Sequence, residues 1–227
     1  MTTEVWYGPE LVTLAAVRAC GDNLAGYASQ FNSNPFYQIP LPPTPTSYSP
    51  TGVPNDGGFY MREAQTPDTP RPIPFVEFWV DGQPTISEYT DSEASIYLVR
   101  LGIRARVSAR ALQVADPLNP ATSTTTTAAQ LAGVHNRAIT LCRLAQVVTS
   151  AYLREAALTL FGDPLGALGI CWNDISSPPS LDLGSAAPTD ASGTMSADAV
   201  AFLDVYQRLY VPAGIVPIPP PTPPPSP

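Results

Sequence analysis

Arginine side chains offer the clearest chemistry in this 227-residue chain, whose eleven basic residues are all arginines. Four of them occupy even-numbered positions of a single apolar run: Arg100, Arg104, Arg106 and Arg110. Because side chains alternate across a β-strand with a period of two, these four are expected to share one face of a long strand. Guanidinium groups bind carboxylates and phosphates through paired hydrogen bonds, so the stripe predicts contact with an anionic partner.

Carboxylates cluster just before this strand, around a predicted turn: Asp81, Glu88, Asp91 and Glu93. Such a group can form an acid–base pair or a Ca²⁺ site, but the spacing fits no EF-hand loop and favours a solvated or salt-bridging acidic tip. The acidic tip of one subunit could reach the arginine stripe of the next, and head-to-tail contacts of this kind close into rings. We therefore predict that these eight residues form a subunit interface, in which the carboxylate partners of the arginines lie mostly on another chain.

No other pattern predicts a catalytic residue, a metal site or a cofactor. His135 is the single histidine and falls within a predicted helix without a nucleophile motif nearby, which is typical of a partly buried or interfacial side chain. The segment Asn55–Gly58 lacks the strand, helix and lysine of a phosphate-binding loop. Three widely spaced cysteines in apolar surroundings predict buried free thiols rather than a zinc site or a disulfide: Cys20, Cys142 and Cys171.

The overall charge limits the choice of partner. The net charge is −8 and charged residues make up only 13% of the chain, about half the usual share of roughly 25%. Net acidity disfavours general nucleic-acid binding, which depends on an excess of basic residues. A thinly charged surface is typical of a protein covered by other subunits, and equally of a monomer coated with Ser and Thr. The sequence shows no signal-peptide pattern and no membrane-spanning run, so we expect a protein made in a cytoplasm that stays soluble or assembles there.

The proline distribution divides the chain into a core and two arms. Of 28 prolines, eleven lie in residues 35–74 and nine in residues 212–227, and such density disfavours helix and central strand. Both segments are expected to be irregular or polyproline-like, and the second is either a disordered terminus or an arm that lies over a neighbour. Residues 1–34 hold an N-terminal helix, from residue 9 to 30, that shares a domain with the core at residues 75–211.

The core is expected to combine strands with one long helix. Alternating or continuous apolar runs predict four strands, of which the first two form a hairpin: 75–80, 95–110, 168–172 and 201–211. A polar linker at 123–127 precedes a helix over 128–160, and a loop covers 176–193. A short helix from Ser196 is an alternative start for the last element. The predicted fold class is α+β: a mostly antiparallel sheet with one long packed helix, an N-terminal helix and Pro-rich irregular arms.

This order of elements resembles the tail-terminator and tail-completion proteins of tailed bacteriophages, which are small α+β proteins that form hexameric rings. Four segments carry the resemblance: 75–80, 96–110, 128–160 and 201–211. The resemblance implies a non-enzymatic ring in the virion, assembled in the host cytoplasm, that joins the tail tube to the head connector. Genomic DNA would pass through such a ring without sequence-specific binding, and the family brings no catalytic residues to this chain.

Two other functions are compatible with the sequence. A capsid cement protein would use Pro-rich arms to clip neighbouring shell subunits together. A soluble enzyme or ligand-binding module would place its site in the segment 35–74. The mass of the protein in solution separates the ring from the enzyme, and its position in a particle separates the ring from the cement protein.

Overall fold

The computed structural model describes residues 8–30, 40–62, 71–86, 96–110, 113–116, 119–125, 127–161, 169–182 and 194–208. Within these residues lie two helices, α1 (Pro9–Ser29) and α2 (Thr127–Phe161). The strands are β1 (Phe59–Met61), β2 (Phe75–Val80), β3 (Thr85–Ile86), β4 (Ile96–Arg110), β5 (Gln113–Asp116), β6 (Asn119–Thr125), β7 (Ile170–Leu181) and β8 (Thr194–Arg208). The predicted α+β class is confirmed.

The main sheet has the strand order β1-β2-β4-β8-β7, and β3 also pairs with β4. All pairings are antiparallel except the parallel pair of β1 and β2. Strands β4 and β8 form the centre and stay in register from Ile96 opposite Arg208 to Arg110 opposite Thr194. The predicted pairing of β2 with β4 is confirmed, with Phe75 opposite Arg106.

Helices α1 and α2 cover one face of this sheet and enclose the core. The odd-numbered residues of β4 point into that core and are buried: Val99, Leu101, Ile103, Ala105 and Val107. The predicted apolar seam of α2 meets them there: Val134, Ala138, Leu141, Ala145 and Val148. Burial of each larger aliphatic side chain stabilises the fold by about 1.5–3 kcal/mol. The period-two pattern of β4 therefore matches a sheet that the two described helices cover on one side.

Part of the Pro-rich segment 35–74 is folded against the helices. Pro42, Pro45 and Pro54 are buried, and the Arg18 guanidinium of α1 lies 3.6 Å from the centre of the Tyr48 ring. The segment then contributes β1. This strand was not predicted, because three residues are too few to show the alternation of apolar and polar side chains. Fixed proline φ angles suit such a segment, since they lower the entropy that folding removes.

Three predicted boundaries are wrong. The proposed loop at 176–193 begins inside β7, which continues through Pro178 and Pro179 to Leu181. Prolines are tolerated there because β7 is an edge strand with register shifts. The alternative helix from Ser196 is instead the first part of β8, which pairs with β4. The predicted linker at 123–127 overlaps β6, which forms a separate two-stranded sheet with β5.

The helix predictions agree with the structure to within two residues at each end. Neither described helix is long and apolar enough to cross a membrane. The C-terminal arm at 212–227 and the loop residues 183–193 lie outside the described residues, as does 63–70 of the first Pro-rich segment.

Candidate interface on the open face of the sheet

The sheet face opposite the helices, called here the open face, carries the arginine stripe. The side chains of Arg104 and Arg106 are about one quarter exposed and that of Arg100 is half exposed, whereas the intervening odd-numbered residues are buried. The predicted face for these three arginines is therefore confirmed. The backbone of Arg110 lies opposite Thr194, and its side chain falls outside the described part.

Asp198 is the most deeply buried charge on the open face. It lies opposite Arg106 in the pairing of β4 with β8, and its side chain is 0% exposed. One carboxylate oxygen accepts a hydrogen bond from Arg104 Nη2, and the other lies 2.9 Å from Arg106 Nε. The Arg106 contact is a close ion pair rather than a well-directed hydrogen bond. Two guanidinium groups thus compensate a carboxylate that would otherwise be costly to bury.

Glu77 forms a second buried carboxylate on β2, opposite Arg104. Its side chain is 4% exposed, and its oxygens contact Arg71 and, at 3.0 Å, Arg62 Nη2. Arg104 Nη1 lies 3.8 Å away and links Glu77 to Asp198. Burial tends to raise the pKa of Glu77, but the hydrogen bonds and charges of Arg71 and Arg62 outweigh it, so the pKa lies below the usual value.

We call these six residues the arginine–carboxylate cluster: Arg62, Arg71, Arg104, Arg106, Glu77 and Asp198. Arg100 lies beside the cluster and pairs with Asp204, with Nε 3.3 Å from Oδ1. The Arg100 side chain is half exposed, so solvent screens this ion pair. The pair therefore contributes at most about 1 kcal/mol to the free energy of unfolding.

Aromatic rings share the open face with the cluster. Trp79 meets Phe202 edge to face, with ring centroids 6.3 Å apart, and the Arg62 guanidinium lies 4.0 Å from the Trp79 ring centre. Trp172 of β7 stacks on Tyr206 of β8 at 4.5 Å. Arginines held over rings lose side-chain freedom before any partner arrives, which lowers the entropic cost of binding.

Gly102 lies opposite Trp79 in the pairing of β4 with β2, and the Trp79 ring packs closely against it. A Cβ atom at Gly102 would stand 2.2 Å from Trp79 Cε2, far inside van der Waals contact. We expect Gly102→Ala to displace the indole and lower the free energy of unfolding by about 1–3 kcal/mol. Urea unfolding followed by tryptophan fluorescence measures both effects.

Gly133→Ala is the matched control for this substitution. A Cβ atom at Gly133 in α2 would meet nothing within 4 Å. Since alanine is the better helix former, this change is expected to stabilise the protein by up to about 1 kcal/mol. Equal effects of the two substitutions would contradict the close packing of Trp79 on Gly102.

The prediction that the arginine partners lie mostly on another chain is wrong for the three arginines described. Arg104 and Arg106 pair with Asp198, and Arg100 pairs with Asp204, all within one chain. The reason is topological, because β8 runs beside β4 and sets both aspartates directly across from the stripe. The additional contact of other subunits with this face stays a prediction.

The structure describes only one residue of the predicted acidic tip, Asp81. Asp81 is exposed directly after β2, and its backbone N–H donates a 2.8 Å hydrogen bond to the carbonyl of Arg100. Glu88, Asp91 and Glu93 lie outside the described residues. Glu77 was not among the predicted site residues, although a lone carboxylate in the apolar run Phe75–Val80 signals a buried ion pair. The two β8 carboxylates, Asp198 and Asp204, were not predicted either, although each stands between apolar residues.

The other candidate residues behave as structural side chains. His135 is half-buried in α2, and the described residues hold no group of three or more potential metal ligands. The prediction of buried free thiols is confirmed for Cys20 and Cys142. Burial raises the pKa of both thiols, that of Cys142 to about 12, which keeps them protonated and unreactive. The side chain of Cys171 is outside the described part of the chain.

No protein-family model matches this sequence, and a comparison with curated proteins yields no match. The open face itself is therefore the basis for inferring a function.

Proposed function

We propose that this protein is a structural virion subunit that forms a homo-oligomeric ring at the head–tail interface or tail end of a tailed bacteriophage, as a tail-terminator or neck protein. The observation that carries the proposal is the open face, which displays arginines and aromatic rings and lies opposite the two described helices. Neighbouring virion proteins such as the tail tube or the connector would contact the same ring. The net charge of −8 suits a ring through which DNA passes without being held.

The edges of the main sheet are poorly suited to assembly. On one side β1 is only three residues long. On the other side β7 contains Pro178 and Pro179 and several register shifts against β8. Short strands, prolines and bulges are the means by which proteins prevent edge-to-edge pairing. Contact through the face of the sheet is therefore favoured over extension of the sheet from subunit to subunit.

The open face is large enough for a stable contact. Strands β4 and β8 have fifteen residues each and run about 50 Å at roughly 3.3 Å per residue. With neighbouring strands about 4.8 Å apart, the face of β2, β4, β8 and β7 covers on the order of 800 Å². A typical specific interface buries about 800 Å² on each partner. Arginine and aromatic residues are also the types enriched at the centres of interfaces.

Measurement of the mass of the full chain in solution tests this proposal. We expect a closed oligomer by native mass spectrometry, and rings in negatively stained images of the same sample. Trp172→Ala on the open face is expected to weaken association at least about 30-fold, as for an aromatic hot spot of an interface. A monomer that persists at high concentration would contradict the ring.

Leu158→Ala is the matched control for Trp172→Ala. Leu158 lies on α2 and is 44% exposed, compared with 37% for Trp172, so both are large exposed apolar side chains on different layers. We expect the Leu158 variant to assemble as the original chain does. Loss of assembly only with Leu158→Ala would show that subunits meet through the helices.

A further inference from the structure

An irregular stretch in the middle of the edge strand β7 carries the proline pair Pro178 and Pro179. Residues 175–180 of β7 lie opposite residues 200–203 of β8, so β7 uses more residues than its neighbour over the same length. The extra residues are accommodated as bulges, which bend a strand and interrupt its ladder of hydrogen bonds. Neither proline has a backbone N–H, so the stretch also offers fewer donors to β8 than a regular strand does. Backbone pairing alone therefore holds this part of β7 weakly.

Gln146 of α2 supplies hydrogen-bond donors at this stretch. The residue is fully buried. Its Nε2 group donates a 2.7 Å hydrogen bond to the carbonyl of Ser177 on β7 and a 2.8 Å hydrogen bond to the carbonyl of Phe202 on β8. Ser177 and Phe202 lie opposite each other in the strand register. The amide therefore bridges the two strands directly before the proline pair.

The orientation of the Gln146 amide is fixed by a third contact. Arg143, one turn earlier on α2, donates a 2.8 Å hydrogen bond from Nη1 to Gln146 Oε1. Because the amide oxygen accepts from a guanidinium, both N–H bonds of the amide are directed at the two strand carbonyls. A buried amide whose donors and acceptor are all in use has a single favourable orientation. The side chain is therefore held in place to serve the bulged stretch.

A second link joins α2 to the regular half of β7. One turn after Gln146, Ser150 Oγ donates a 2.5 Å hydrogen bond to Asn173 Oδ1, and Asn173 Nδ2 donates a 3.2 Å hydrogen bond to the Ser150 carbonyl. Residues 172–175 pair with β8 without a register shift. This half of β7 thus has both its ladder and a side-chain link, whereas the bulged half depends on Gln146.

We propose that three residues act together as a lock that closes this edge of the sheet, and we call them the β7 lock: Gln146, Pro178 and Pro179. The prolines prevent a further strand from pairing with β7, as prolines on edge strands do. The Gln146 amide takes the place of backbone N–H groups that the prolines lack and keeps the bulged stretch on β8. Without the amide, residues 176–181 separate from β8 and expose its edge to main-chain pairing. The lock operates whether or not the chain forms a ring, so it does not rest on the proposed function.

Hydrogen exchange of the full chain with Gln146→Met is the first test. Methionine has nearly the length of glutamine but no N–H donor. We expect the backbone amides of β7 to exchange at least about tenfold faster than in the original chain, because local opening then requires less free energy. The amides of β2, on the other side of β4, are expected to keep their rates. Thr140→Val is the matched control, since Thr140 Oγ1 donates to the Asn136 carbonyl within α2, and it should leave β7 unchanged.

A double-mutant cycle tests whether the amide replaces the missing N–H groups. In the original chain, Gln146→Met removes a donor from two carbonyls and is expected to raise the equilibrium constant of unfolding about 10- to 100-fold. In a chain that carries Pro178→Ala and Pro179→Ala, backbone N–H groups become available to β8. The same change is then expected to have an effect at least about fivefold smaller. The influence of the prolines on the unfolded chain is the same with and without Gln146, so it cancels in the cycle.

A peptide with the sequence of β7, in which alanine replaces both prolines, tests whether the edge is closed. We expect this peptide to bind the Gln146→Met chain at least about tenfold more tightly than the original chain, since strands add to an exposed sheet edge. Equal binding to the two chains overturns the proposal.

Two further results would overturn the β7 lock. One is an equal effect of Gln146→Met with and without the prolines, since the amide would then act independently of them. The other is equally accelerated exchange in β2 and β7, which would mean that Gln146 stabilises the whole sheet and not its edge. If the Gln146→Met chain does not fold, the variant that also carries both alanines is expected to regain its fold. Failure of that rescue contradicts the proposal as well.

Discussion

Asp198→Asn is expected to lower the free energy of unfolding by about 3–5 kcal/mol. The carboxylate is fully buried and holds the guanidinium groups of Arg104 and Arg106. An asparagine of nearly the same shape removes the negative charge, which takes away the carboxylate that Arg106 contacts and leaves Arg104 with only the more distant Glu77. Urea unfolding at pH 7 and one fixed protein concentration measures the loss, because association adds to apparent stability.

Asp204→Asn makes the same chemical change on the same strand and face. Asp204 is 16% exposed and its partner Arg100 is 51% exposed, so solvent screens the pair. The expected loss is less than about 1 kcal/mol. A difference of at least about 2 kcal/mol between the two variants therefore reports burial of the ion pair rather than loss of charge. Similar losses at Asp198 and Asp204 would contradict the role assigned to the cluster.

The larger helices and strands were predictable because their apolar residues recur at regular intervals in the sequence. In β4 apolar residues at the odd-numbered positions alternate with Arg100, Arg104 and Arg106, and only one strand register buries those odd-numbered apolar side chains. In α2 the spacing of Val134, Ala138, Leu141 and Ala145 places them on one face of a helix. Both patterns depend only on neighbours in sequence, so they are visible without knowledge of the fold.

The elements that were missed depend on partners far away in sequence. β7 contains two prolines and has an irregular register. It is a strand because its backbone pairs with that of β8. The first part of β8 is a strand because β4 is long enough to pair with it. β6 is rich in threonine, and its polar composition gives no sign that it pairs with β5.

The ion-pair partners in the candidate site were hidden for the same reason. Arg104 and Asp198 are 94 residues apart in sequence, and only the register between β4 and β8 brings them together. The sequence analysis correctly expected carboxylates as partners of the stripe. It assigned them to another chain because the acidic turn was the only nearby source of carboxylates that the pattern offered.

Glu77→Gln is expected to lower the free energy of unfolding by about 3 kcal/mol at pH 7. The glutamate is 4% exposed and is contacted by three guanidinium groups, of Arg62, Arg71 and Arg104. Glutamine keeps the volume but directs an amide N–H₂ or a neutral oxygen at those groups. Glu155→Gln, at an exposed position of α2, is the matched control and should change stability by no more than about 0.5 kcal/mol.

The pH dependence of this difference provides the sharper test. The pKa of Glu77 in the folded protein lies below its ordinary value of 4.5, so the unfolded chain takes up this proton first as the pH falls. The stabilisation by Glu77 is therefore complete well above pH 4.5, declines below that value and disappears once the folded protein is protonated as well. Unfolding free energies of the original chain and the Glu77→Gln variant should accordingly converge as the pH falls below 4.5. Titration of other carboxylates largely cancels in this comparison, because both proteins share them. A difference that stays constant down to the acid limit would mean that Glu77 stabilises the sheet by its shape and not by its charge.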